Sequence, residues 1–84
     1  MVPARHNLGM SLARLRHFPE ALAQLREAVR LEPASPGALF ALGAVALGAG
    51  ERAEAESCRE RLEAVGTPAA AALAHRLAAA MEGR

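Results

Sequence analysis

The side chains able to do chemistry are few and scattered. His6, His17 and His75 fall in separate segments, and none stands one helical turn from another or from the lone Cys58. A structural metal centre gathers about four converging ligands, so this spacing predicts surface or boundary histidines and no metal site. Cys58 has no second cysteine to pair with. A small buried thiol packs as an apolar group, whereas a reactive one needs a neighbouring base that no spacing here supplies. Aspartate is absent, which removes any Ser-His-Asp set. The glycines form neither G-x-G-x-x-G nor a Walker loop, and Gly48-Ala49-Gly50 reads as a helix stop. Glu51, Glu54, Glu56, Glu60 and Glu63 interleave with Arg52, Arg59 and Arg61, with Arg52/Glu56 and Arg59/Glu63 one turn apart. Such pairs contribute about 0.2–0.5 kcal/mol each in isolated helices. They predict a solvated face rather than paired catalytic carboxylates, so no enzyme activity, cofactor or metal is expected.

The whole chain has 84 residues, room for one small domain. Its net charge of +1 balances ten arginines against nine glutamates, while 52% of the residues are hydrophobic, which fits a soluble folded chain rather than a disordered one. Phe18 and Phe40 are the two aromatic residues. Without stacking platforms or a strong positive field, nucleic acid is not an expected partner. No apolar run is long enough to span a membrane, no secretory leader is legible, and one cysteine suits a reducing compartment, so a cytoplasmic location is expected.

Five stretches have helical composition; the 22 alanines, together with Leu, Arg and Glu, all favour helix. Pro3 opens one running to about Arg16 with Leu8, Leu12 and Leu15 on one face. Pro19 fits the first turn of a second, whose buried stripe is Ala21, Leu22, Leu25, Ala28 and Val29, ending near Leu31. A third runs from about Pro36 to Leu47 with Leu39, Leu42, Gly43 and Ala46 inward, closed by Gly48 and Gly50. The fourth, Glu51 to Val65, turns Ala55, Cys58, Leu62 and Val65 inward. Thr67 then caps a fifth marked by Leu73, Leu77 and Met81. Tight turns and the lack of strand alternation predict an all-α stack of antiparallel neighbours.

The stretches also repeat. At one constant displacement Ala4, Leu8, Gly9, Glu20 and Ala21 recur as Ala38, Leu42, Gly43, Glu54 and Ala55. A glycine inside a helix costs about 1 kcal/mol relative to alanine, so two at the same phase predict close helix contact as the compensation. This pattern resembles the tetratricopeptide repeat family, built from units of about 34 residues with a Trp, Leu-Gly, Tyr, Ala, aromatic, Pro signature. Leu8, Gly9, Leu12, Phe18, Ala21, Leu25, Ala28 and Pro33 occupy those places in the first unit, with Arg5 where the family prefers Trp. In the second, Leu39 stands at the Trp place, followed by Leu42, Gly43, Ala46 and Ala55. Arg59, Leu62 and the displaced Pro68 depart from the pattern. The resemblance implies two helix-turn-helix hairpins, residues 3–34 and 36–67, and a capping helix over 69–81.

It also implies a non-enzymatic module whose first helices line a concave groove for a protein or peptide. On that phase the groove presents His6, Met10, Ala13 and Arg14, then Phe40, Ala44 and Leu47, with Ala74, Ala78 and Met81 closing its far side. Phe40 is the expected anchor. Family members that hold a peptide's terminal carboxylate use Lys, Asn and Arg on this face. This chain has no Lys, and Met10 and Ala44 fill two of the places, so an apolar or helical ligand is favoured. A second reading is self-assembly: two repeats bury a limited core where about three are normal, and the C-terminal helix offers an alanine-rich face to another copy. The start at Met1-Val2-Pro3, which lacks a capping side chain, also suits a piece of a longer array.

Overall fold

A computed structural model describes residues 17–82, four α-helices with no strand among them: α1 Phe18–Leu31, α2 Pro36–Gly48, α3 Arg52–Val65 and α4 Pro68–Glu82. The helix expected before His17, with Gly9 in it, lies outside the described residues.

Local chemistry accounts for the punctuation. Pro19 sits in the first turn of α1, where its missing N–H leaves nothing unpaired. The Ser35 hydroxyl accepts a hydrogen bond from the Ala38 N–H at 3.4 Å and starts α2. Thr67 does the same for α4 through the Ala70 N–H at 3.1 Å, the cap that its sequence position predicts. At the end of α2 the Glu51 N–H reaches the Ala46 carbonyl at 2.8 Å and the Gly50 N–H reaches Leu47 at 3.1 Å. This paired closure needs a left-handed residue between, and Gly50 provides it with φ of +84°. Gly48, expected as part of the stop, is instead the last residue of the helix.

Among the described helices α2 is central and packs against each of the other three, whereas α1 packs closely on α2. The stripe of α1 is buried as its spacing predicts: Ala21, Leu22, Leu25, Ala28 and Val29. α2 buries more than its predicted face, adding Ala38, Ala41 and Val45 to Leu39, Leu42, Gly43 and Ala46. The reason is that no residue of α2 is charged or polar, and a helix apolar all round is covered on several sides. Leu25, Leu39, Leu62, Leu77 and Cys58 are the largest fully enclosed side chains, and no polar or charged residue is buried among the described residues. Each such leucine contributes about 1.5–3 kcal/mol by leaving water.

Gly43 marks the crossing of three helices. A methyl group placed there would lie 2.5 Å from Leu77 Cδ2 and 3.1 Å from Cys58 Cβ, inside contact distance of both α4 and α3. The packing role read from the repeated glycine is thus present at Gly43.

Among the described residues charge is confined to the outer faces. Arg26 forks onto Glu54 with bonds of 2.8 and 2.6 Å, tying α1 to α3, and Arg30 pairs with Glu27 on α1. Arg59 bonds Glu56 at 3.0 Å and Glu63 at 2.9 Å, the latter a pair the sequence predicts. Arg52 does not pair with Glu56 as expected. It donates to the Met81 carbonyl at 3.3 Å, because the start of α3 lies beside the exposed carbonyls ending α4.

Candidate functional site

The residues expected to carry function divide by position. His6, Met10, Ala13 and Arg14 lie outside the described residues. Phe40, Ala44 and Leu47 sit one and two turns apart on α2, and all three are half-buried, between the core face and open solvent. Phe40 packs against the core. The Arg76 guanidinium of α4 stands over the ring, 5.1 Å from its centre, within the range of a cation–π contact.

The equal caps of α2 and α4 fix how the two helices correspond. Counted from Ser35 and Thr67, buried Ala38, Leu42 and Val45 match buried Ala70, Ala74 and Leu77, so the same face of each helix is turned into the core. By the same count Phe40 matches Ala72, Ala44 matches Arg76 and Leu47 matches Ala79, all three exposed on α4. The strip of α2 therefore continues onto α4 as Ala72, Arg76 and Ala79. This corrects the expectation that Ala74 and Met81 close the far side: both are buried in the core, and Ala78 is half-buried. Sequence reasoning passed over Arg76. The repeat of Ser35-Pro36 as Thr67-Pro68 was the signal that would have placed it.

Nothing among the described residues gathers into a catalytic set. His17 and His75 are exposed on different segments, and no cluster of His, Cys, Asp or Glu there could hold a metal ion. A hollow of about 410 Å³ opens between Phe18, Leu22, Arg26, Ala49 and Glu51, and none of the strip residues lines it. Cys58 is 2% exposed. Burial first, then the Glu54 carboxylate, pushes its thiol up to about 11, with Arg61 pulling the other way. The folded chain therefore keeps this proton where the unfolded chain has lost it. That stabilisation is complete below the unfolded thiol's value and is lost as pH rises toward 11. The chain has no Lys and no Tyr, so no other side chain titrates in this window. The urea midpoint of the wild type should fall between about pH 9 and pH 11, and Cys58→Ala should remove that slope. Equal slopes in the two proteins would show that the thiol does not titrate with unfolding.

Antiparallel neighbours joined by turns of a few residues, with a glycine at the helix crossing and a hydroxyl cap opening each of α2 and α4, define an α-helical repeat protein. A family model described as Tetratricopeptide repeat matches residues 2–45, more than half of the sequence, and the chain belongs to that family. No curated protein and no solved structure matches it. Repeats of this family are protein–protein interaction modules and typically non-enzymatic scaffolds. No helix among the described residues is long and apolar enough to cross a membrane.

Proposed function

We propose that this chain is a non-enzymatic cytoplasmic module of two hairpins, residues 3–34 and 36–67, and a capping helix, 69–81, that holds an apolar or helical peptide in the groove lined by α2 and α4. The observation that supports this reading is the half-buried strip Phe40, Ala44 and Leu47 on a helix with no charged residue. A surface of that kind gains by excluding water, and its large stiff member dominates the contact. Self-assembly has less to use. Leu77 is buried within the chain itself, and the alanine-rich face expected to meet another copy, with Ala71, Ala72, Ala79 and Ala80 exposed, offers only small side chains.

The test uses helical peptides selected from a display library against the wild type. Phe40→Ala should weaken their capture by more than about 2 kcal/mol. Arg59→Ala, on the outer face of α3, should leave capture intact. Because Phe40 also touches the core, Ala44→Glu provides an independent probe that puts a charge in the strip without removing packing. Equal loss in Arg59→Ala, or full capture by Ala44→Glu, would remove the groove from consideration.

A further inference from the structure

Among the described residues the arginines are accounted for by oxygen partners with one exception. Arg26 and Arg30 meet Glu54 and Glu27, Arg59 meets Glu56 and Glu63, Arg52 meets the Met81 carbonyl, and Arg61 meets the Pro33 carbonyl at 3.5 Å. Among the described residues Arg76 alone has a guanidinium that meets no oxygen, and its contact is the face of Phe40. A guanidinium carries five N–H donors, and ring contact from above satisfies none of them with an acceptor. Its neighbours by helical position, Ala72 and Ala79, are too short to provide one. α2, on the other side of the strip, has no charged residue at all.

A side chain settled on Phe40 would thus lie beside a cation whose donors are free. Covering the strip also removes water from around that cation, which strengthens its attraction for an anion and raises the cost of leaving it alone. We propose that the groove selects an amphipathic helical segment carrying a glutamate or aspartate one turn from its apolar anchor, with Arg76 as the residue that determines this specificity. The inference rests on the groove reading above and deepens it by assigning the partner's charge. The acidic group is a side chain within the segment, not a terminal carboxylate.

The experiment uses three amidated helical peptides with one shared leucine face that differ at the position a turn from the central leucine, which is Glu, Gln or Lys. Amidation removes the terminal carboxylate as a source of charge. The wild type should bind the Glu peptide about tenfold more tightly than the Gln peptide, the scale of one charge-assisted hydrogen bond. Added salt should narrow that gap. In Arg76→Gln the ratio of Glu-peptide to Gln-peptide affinity, read within that variant, should fall to about one, and Arg76→Glu should prefer the Lys peptide. Persistence of the Glu preference in Arg76→Gln, or equal binding of Glu and Gln peptides by the wild type, overturns the role of Arg76 and leaves the groove standing. Failure of all three peptides to bind, or undiminished binding in Phe40→Ala, overturns the groove and this inference with it. Equally tight binding of a single-stranded oligonucleotide of matched charge would replace the acidic helix by a phosphate backbone and overturn the assignment.

Discussion

Leu77→Glu should detach α4 from the domain. Leu77 is 1% exposed and its δ-carbons lie over Gly43, in a core that holds no charged or polar group among the described residues. A carboxylate placed there has no cation or hydrogen-bond donor within the packing, and an unpaired buried charge costs several kcal/mol. The cheapest escape is for the last helix to leave, since α4 is attached by its packing on α2 and α3. Circular dichroism should show the loss of about one helix at low temperature, with a lower urea midpoint for what remains. Leu77→Met, which keeps volume and polarity, should cost less than about 1.5 kcal/mol. A Leu77→Glu chain that kept full helicity and its midpoint while an oligomer fell apart would show that this stripe meets another copy instead.

Gly43→Leu should destabilise the domain without introducing any charge. The first added carbon already collides with Leu77 Cδ2 and presses on Cys58 Cβ. The leucine methyl can swing aside, but the cysteine carbon is fixed to the backbone of α3, so the helices themselves must separate. Overfilling of this kind costs about 1–3 kcal/mol and occasionally more. Gly43→Ala tests the balance, because alanine gains about 1 kcal/mol of helix propensity against the same crowding. It should fall between wild type and Gly43→Leu. In a Leu77→Ala background the penalty for Gly43→Leu should shrink, since the vacated space takes up the new side chain. An unchanged unfolding midpoint for Gly43→Leu would mean that the crossing is not close.

What the sequence disclosed follows from where pattern carries information. α1 alternates apolar and charged positions, and its five buried residues were readable from spacing alone. In α2 every position is apolar or glycine, so periodicity could not separate Leu39 from Ala38 or Val45, and only the neighbours of the helix decide. The alanines of α4 pose the same difficulty: Ala70 and Ala74 are core while Ala72 and Ala79 are surface, although nothing in their type distinguishes them. Gly43 was legible because glycine inside a helix needs a reason. The Arg26–Glu54 fork was not, because it joins two helices with a third between them in sequence. Of the strip, the shared face of Phe40, Ala44 and Leu47 followed from helical spacing, whereas the approach of Arg76 to Phe40 required the register of α4 on α2.

The order in which the helices pack also bears on how the chain comes into being. Each helix meets the one before it in sequence, and the turns between them are a few residues long, so hairpins close with little loss of chain entropy and folding of this topology is fast. During synthesis α1 and α2 can associate before α3 has emerged. The Gly43 crossing is different, because its lid is Leu77, contributed by α4, which emerges after both α2 and α3. Until α4 docks, the apolar surface around Gly43 of α2 and Cys58 of α3 faces water. A growing chain is therefore most exposed to aggregation, and most attractive to chaperones, in the interval between the emergence of α3 and that of α4.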